Sequence, residues 1–147
     1  MSSFTAAAWE PTGEKDEGRP LYAIRGAEGD GFDFYIGYKG SSLWVHVPEG
    51  FLTDGPSIPG IVRWAIPKSV IEKTLKSAAV HDLLCEDPRF ERHEADAIFL
   101  TAMYAEGTPA FWREVFFNAV RTNKSKARRN PDELVLPATS KDRTIPL

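Results

Sequence analysis

Residues 48–69 set the strongest limit on how this chain can fold, because prolines and glycines recur throughout them. A proline lacks a backbone N–H and a glycine weakens helices and strands, so this stretch cannot hold a long regular element. Its apolar residues, among them Phe51 and Ile58, must nevertheless be buried somewhere. We therefore expect an ordered loop between two differently built parts of the chain, and such loops are often functional.

Before the loop, three short runs are rich in β-branched and aromatic residues and are separated by glycines. They cover residues 21–24, 32–38 and 43–47. This composition is typical of antiparallel strands joined by turns. Residues 1–20 instead mix small, charged and turn-forming residues without a sustained period, so we expect a mobile arm or one that only a partner orders.

After the loop the pattern becomes helical, and we expect about three helices. Ser69 and Glu72 have the spacing of a capping box, in which both side chains accept from backbone N–H groups at a helix start. Gly107 suits the left-handed position that ends a helix, and Thr108 followed by Pro109 is a typical start for the next one. The predicted ranges are about 69–86, 91–106 and 109–122.

Together these patterns predict an α+β fold, in which a small antiparallel β-sheet of about three strands is followed by a loop and about three α-helices. The length of 147 residues is about one domain, and 42% of the residues are hydrophobic, which is enough for a core. We expect a mobile N-terminal arm over 1–20, a single domain over 21–122, and a basic segment with a C-terminal tail over 123–147.

The composition excludes several classes of protein. The 18 Lys and Arg residues against 21 Asp and Glu give a net charge of −3, which argues against a dedicated nucleic-acid binder. The single cysteine, Cys85, cannot form an internal disulfide and excludes zinc sites that need paired cysteines. We expect no signal peptide and no transmembrane segment, because no basic leader precedes an apolar core and no apolar run reaches about 18 residues.

Two predicted helices place charged residues on their apolar stripes. Helical spacing aligns Ile71, Leu75, Ala78, Asp82 and Cys85 on the first, and Arg92, Asp96, Phe99 and Met103 on the second. Removing an ionised carboxylate from water is costly, so Asp82 and Asp96 each require a partner.

Three interpretations of these carboxylates stay open. In the structural one, Arg92 pairs with Asp96 one turn away and with Asp82 across the helix interface. His81 then makes an ordinary hydrogen bond. In the second, Asp54, Asp82 and Asp96 hold a divalent metal or polarise a water for hydrolysis. In the third, the region is a docking surface for other protein subunits.

The second interpretation gives adjacent residues separate roles. Successive side chains on a helix diverge by about 100°, so His81 would face a cleft as general base while Asp82 points sideways. Asp54 and Ser57 would join them from the loop, where a glycine and a proline hold the backbone. A turn in which Asp54 or Ser57 caps the loop's own backbone is an equal alternative.

Two other constellations are weaker signals. Cys85 lies one turn after His81, so both could reach one ion, but a small core thiol is the favoured interpretation. Ser57, His81 and an aspartate would supply the residue types of a hydrolytic triad, but no Gly-x-Ser-x-Gly sequence supports one.

Three ordered motifs resemble one known family. They are a Phe-x-Thr-Asp-x-x-Ser-Ile-Pro loop over 51–59, a His-Asp helix over 78–85 and an Arg-x-x-Ala-Asp helix over 92–96. Over about residues 43–122 they are similar to a phage and prophage family catalogued as domain of unknown function 1353. The matching positions are Asp54, Ser57, Ile58, Pro59, His81, Asp82, Arg92 and Asp96. The family usually has Tyr where this chain has Cys85. The resemblance implies a phage or prophage origin and assigns no activity.

The last predicted helix and the segment after it bear on partners. Most aromatic residues of the helix, such as Phe111, can pack on the domain. Phe117 points away from much of that stripe and could contact another chain, although a wide core interface is the simpler account. The segment 121–129 has no acidic residue, and a solvated segment is favoured there over contact with nucleic acid or an acidic protein surface. Its basic residues are Arg121, Lys124, Lys126, Arg128 and Arg129.

The favoured function is a hydrolase-like site, which a divalent metal could assist, acting on an envelope component such as peptidoglycan or lipid. Its residues would be His81, Asp82, Asp54, Asp96 and Ser57. The alternative is a non-enzymatic tail or neck subunit of the virion, in which Arg92, Asp82 and Asp96 only lock helices together and the terminal arms contact neighbours. The resemblance places such a protein in the host cytoplasm or the assembled virion.

Overall fold

The protein has an α+β fold, as the sequence predicts. The computed structural model describes residues 1–16, 18–56 and 64–122, and these fall into two compact units. The first unit contains residues 1–54 and the second begins at Gly55. Within the described residues, all strands lie in the first unit and all helices lie in the second.

The first unit contains two antiparallel sheets of three strands each. The strands are β1 (Ser3–Phe4), β2 (Ala7–Asp16), β3 (Arg19–Gly26), β4 (Phe32–Tyr35), β5 (Trp44–Val47) and β6 (Leu52–Thr53). The sheet orders are β1-β4-β5 and β2-β3-β6. The expectation of one sheet of about three strands is therefore wrong, because β3 pairs with β2 and β6 and not with β4.

Residues 1–20, for which we predicted an arm without regular structure, contain β1, β2 and the start of β3. In the β2–β3 hairpin, Trp9 lies opposite Ile24, and the register shifts between Pro11 and Lys15. A proline and a register shift interrupt the alternation that marks a strand in a sequence. The period of two was therefore hidden although the strand is ten residues long.

The core of the β1-β4-β5 sheet forms from alternate residues of β4 and β5. Phe32 lies opposite Val47 and Phe34 opposite Val45, and all four side chains are buried. The ring of Phe4 stacks on that of Phe34, with ring centroids 4.5 Å apart. The alternation places Asp33 on β4 and His46 on β5 directly opposite each other on the other face of the sheet.

The second unit contains four helices in its described part, and the predicted first helix is two helices. They are α1 (Lys68–Glu72), α2 (Leu75–Glu86), α3 (Arg92–Glu106) and α4 (Ala110–Thr122). In an unbroken helix Ser77 N–H would donate to the carbonyl of Lys73. Instead Ser77 N–H donates to the Glu106 carboxylate at 2.8 Å, and the Lys73 carbonyl accepts from the Thr108 hydroxyl at 2.8 Å. Tertiary hydrogen bonds thus replace the helical ones and divide the helix.

The predicted capping box is also misplaced. Pro67 is the residue that precedes α1, no side chain caps that helix, and Ser69 lies inside it. The capping box occurs at α3, where the Glu91 and Glu94 side chains accept from each other's backbone N–H groups. Gly107 ends α3 in the left-handed region with φ 90°, as expected.

The second unit has many buried residues on α2, from Leu75 to Leu84, and a buried cluster that joins α1, α3 and α4. This cluster consists of Ile66, Val70, Phe99, Met103, Phe116 and Val120. Phe117 packs against this cluster, whereas Phe111 is 69% exposed. Phe117 thus packs in the wide core interface that is the simpler of its two expected roles, whereas Phe111 is not buried as expected. None of the described helices is both long enough and apolar enough to cross a membrane.

Candidate functional site

Helices α2 and α3 bring His81 and Asp96 together in the interior of the second unit. The two residues are 2% and 4% exposed, and the His81 ring lies 4.9 Å from the Phe99 ring, centroid to centroid. His81 Nε2 is 2.7 Å from Asp96 Oδ1. Because a carboxylate only accepts, the imidazole donates through Nε2.

Arg92 extends this pair to a third helix. Its Nε lies 3.3 Å from Asp96 Oδ1, one helical turn away, and its Nη2 donates to the carbonyl of Val120 at 2.9 Å. The carbonyls in the last turn of a helix have no partner within the helix, so Arg92 satisfies one of them in α4. The resulting network, which we call the helix lock, consists of His81, Asp96, Arg92 and the Val120 carbonyl, and of its side chains only that of Arg92 is partly exposed, at 31%.

The helix lock keeps Asp96 ionised. Burial opposes ionisation, but the hydrogen bond from His81 and the charges of His81 and Arg92 together outweigh it, so the pKa of Asp96 lies below its ordinary value. Asp96 therefore serves as the anion at the centre of the network. A carboxylate so engaged has little capacity left to act as a base.

The structure corrects the predicted directions of His81 and Asp82. The second interpretation had His81 facing a cleft, and the apolar stripe placed Asp82 against the core, but His81 is buried and Asp82 is half-buried. The prediction assumed one apolar stripe on this helix. In fact α2 is buried on most of its circumference, from Leu75 to Leu84, so a stripe does not define its inner face.

The remaining predicted site residues do not lie together in the described part of the second unit. Asp54 belongs to the first unit, where its carboxylate accepts from Arg19 Nη1 at 3.0 Å. Ser57 lies outside the described residues, as do the basic residues Lys124, Lys126, Arg128 and Arg129. Across residues 1–16, 18–56 and 64–122, no three His, Cys, Asp or Glu side chains are grouped so that they could hold a metal ion. Asp54 lies in the first unit and Asp82 and Asp96 in the second, and the ligand set formed by these three carboxylates stays a prediction.

Cys85 completes the surroundings of His81. Its Sγ lies 3.5 Å from His81 Nε2 and 3.9 Å from Nδ1, one turn along α2. The thiol is half-buried and forms no disulfide. The sulfur therefore packs against a ring nitrogen that already donates to Asp96.

A second histidine–aspartate pair, which the sequence analysis missed, lies in the first unit. His46 on β5 faces Asp33 on β4 across the sheet, and His46 Nδ1 is 2.7 Å from Asp33 Oδ1. Its Nε2 is 3.8 Å from Asp30 Oδ1. The signal was present in the sequence, because each residue is the polar centre of an apolar–polar–apolar triplet, Phe32-Asp33-Phe34 and Val45-His46-Val47.

Comparisons with known proteins give a family and no activity. No curated protein and no solved structure matches the chain. The family model described as a protein of unknown function, DUF1353, matches residues 33–120. Because this match spans more than half of the 147 residues, the chain belongs to the DUF1353 family.

Proposed function

We propose that this protein is a non-enzymatic structural subunit of a phage or prophage particle, such as a tail or neck accessory protein. The observation that carries the proposal is the helix lock, in which two of the residues expected to do chemistry, His81 and Asp96, are bound to each other inside the second unit. His81 and Asp96 are 2% and 4% exposed. A general base needs access to its substrate, and this pair has almost none.

The energetics of the helix lock suit a rigid scaffold. Removing one member of a buried ion pair costs about 3–5 kcal/mol, because the other member is left charged without compensation. The network also joins three helices through side chains, since His81 is on α2, Asp96 and Arg92 are on α3, and Val120 is on α4. Fixed helix positions favour binding to neighbouring subunits, because less conformational entropy is lost when the contact forms.

The surface of the second unit supports a protein partner. Phe111 is 69% exposed and Tyr104 is 54% exposed. The guanidinium of Arg113 lies over the Tyr104 ring, 3.8 Å from its centroid. Exposed aromatic residues and arginine are enriched where proteins bind one another.

The phage origin rests on the resemblance of the three sequence motifs, since the family description assigns no function. The decisive experiment is therefore made on particles. Virions released from a host that carries the encoding phage or prophage are purified by density gradient, and their proteins are quantified by mass spectrometry. A fixed ratio of this chain to the major capsid protein is expected, and its absence from intact particles would contradict the proposal.

One observation favours a second function, a hydrolase-like site built on a thiol. Cys85 Sγ lies within 3.9 Å of both ring nitrogens of His81, and Asp96 fixes the ring. A thiolate activated by histidine is the nucleophile of many acyl hydrolases. Such an enzyme would release products from peptidoglycan or phospholipid, and Cys85→Ala would abolish the release in a folded protein. Equal release by wild type and Cys85→Ala would exclude it.

A further inference from the structure

A cavity of about 350 Å³ lies in the first unit, remote in sequence from the helix lock. Its walls come from the loop between β3 and β4, the start of β4 and the connection between β1 and β2. Binding sites for small ligands and single side chains have volumes of this order. Nothing in the proposed function uses this cavity.

The wall of the cavity is negatively charged. Glu28, Asp30 and Asp33 line it, and no Lys or Arg is among its described lining residues. Ala6 and Ala27 supply apolar surface beside the carboxylates. A concave wall of one charge sign concentrates ligands of the opposite sign, so the cavity favours a cation that also has an apolar part.

The loop that forms one wall is held in place. A Cβ on Gly26 would lie 1.8 Å from the carbonyl oxygen of Gly31, so the two backbones touch without space for a side chain. The Glu49 carboxylate accepts from both of their N–H groups, at 2.8 and 2.9 Å. These two hydrogen bonds lower the pKa of Glu49, which keeps the acceptor ionised. The cavity is thus formed before a ligand arrives, which reduces the entropy lost on binding.

The buried His46 supports two carboxylates of the wall. It is 1% exposed and touches two aspartates that line the cavity, Asp33 at 2.7 Å and Asp30 at 3.8 Å. Burying a polar ring has a cost that its hydrogen bond to Asp33 offsets. That bond also fixes the orientation of a carboxylate in the cavity wall. His46 is therefore a positioning residue for this wall.

We propose that the cavity binds the cationic end of a lysine or arginine side chain from a partner protein. The proposal rests on the proposed function in one respect, namely that the partner is a protein. An ammonium or guanidinium group donates several hydrogen bonds to carboxylates, and its alkyl stem fits the apolar part of the wall. A metal ion fits less well, because the described residues include no group of three side chains able to hold one.

The test uses the full chain and small probes that carry one side chain each. Nα-acetyl-lysine amide and Nα-acetyl-arginine amide are titrated while NMR records the backbone amides of residues 27–33. Nα-acetyl-norleucine amide, which has an alkyl chain and no charge, is the control. Saturable shifts with a charged probe and none with norleucine are expected. Equal shifts with all three probes, or none with any, would overturn the proposal.

Two variants locate the binding. Asp30→Asn and Asp33→Asn each remove one negative charge from the wall, and each is expected to weaken binding of the charged probes about tenfold. Asp30 is the safer variant for folding, because its side chain is 60% exposed. Glu10→Gln is the matched control, since Glu10 is an exposed carboxylate on β2 that pairs with Arg25 away from the cavity lining. Unchanged binding by Asp30→Asn would refute the assignment.

These measurements are independent of the particle experiment. Probe binding by a protein that is absent from particles would contradict the proposed function alone. A particle subunit that does not bind the charged probes would contradict the cavity assignment alone.

Discussion

The two units of this protein each contain a buried histidine bound to an aspartate, and the two pairs have the same length. His81 Nε2 and Asp96 Oδ1 are 2.7 Å apart in the second unit, as are His46 Nδ1 and Asp33 Oδ1 in the first. The histidines are 2% and 1% exposed. The pairs differ in the surroundings of the aspartate.

Asp96 is enclosed and compensated, whereas Asp33 opens onto a cavity. The Asp96 side chain is 6% exposed and also contacts Arg92, while the Asp33 side chain is 24% exposed and lines an acidic wall. The same contact therefore locks helices in one unit and orients a carboxylate toward open space in the other. A histidine–aspartate contact alone does not define a catalytic site, because its surroundings decide its role.

The largest expected difference between the pairs is in stability. Asp96→Ala leaves Arg92 and His81 without their buried anion and is expected to lower the free energy of unfolding by about 3–5 kcal/mol. Asp33→Ala removes a partly exposed partner and should cost about 1–2 kcal/mol. Urea denaturation followed by circular dichroism measures both. Equal losses would show that the two pairs do the same structural work.

The loop that forms the cavity wall can be displaced by a substitution that leaves its carboxylates in place. Gly26→Ala would bring a Cβ against the Gly31 carbonyl, and we expect a loss of about 3 kcal/mol or displacement of the loop. Gly29→Ala is the control, because Gly29 also has a positive φ of 75° but no atom within 4 Å of a Cβ there. Its backbone strain should cost about 1 kcal/mol. Thermal unfolding distinguishes the two, and a milder effect at Gly26 would mean that the loop is not held.

Two carboxylates of the second unit, the buried Asp96 and the half-buried Glu106, should respond oppositely to pH. The pKa of Asp96 is lowered from 3.8, so its stabilisation is complete above that value and is lost as pH falls through the lower folded pKa. Burial raises the pKa of Glu106 above 4.5, against the opposing hydrogen bonds from Ser77 and Lys76. Stability linked to Glu106 is therefore lost as pH rises from 4.5 through the raised pKa.

Urea unfolding across a pH series separates these contributions. Asp96→Asn should flatten the acidic limb of the stability curve, and Glu106→Gln should flatten the fall above pH 4.5. Asp33→Asn is the comparison from the first unit, and it should leave the fall in stability above pH 4.5 unchanged. A fall above pH 4.5 that persists in Glu106→Gln would assign it to another group.

The smallest expected effect comes from the thiol beside His81. Cys85→Ala removes a half-buried sulfur but leaves the His81–Asp96 hydrogen bond intact, so we expect a loss below about 1 kcal/mol. Chemical denaturation at neutral pH measures it. A loss comparable with that of Asp96→Ala would make Cys85 a member of the helix lock.

The helices were easier to predict than the sheets. The pattern placed the ends of α3 and α4 within one or two residues, because the turn chemistry at Gly107 is local. It missed the break between α1 and α2, since that break depends on Glu106 and Thr108, which lie about 30 residues further along the chain. It also missed β1 and β2, whose pairing partners compensate for a weak alternation.

The site was predicted in part. The sequence indicated that Asp96 needed a partner, because an aspartate on an apolar stripe cannot remain uncompensated. It did not indicate that His81 would be buried and bonded to Asp96, because α2 is covered on most sides. The pair of His46 and Asp33 in the first unit could have been predicted only from the register of β4 against β5.

The sequence by itself determined the α+β class, the helical second half and the family, because composition, periodicity and local motifs are properties of short segments. The tertiary structure alone decided how the strands divide into two sheets, which histidine nitrogen meets which aspartate, and where a cavity opens. These outcomes depend on contacts between residues distant in sequence. Their free energies come from burial and charge compensation, which no local pattern contains.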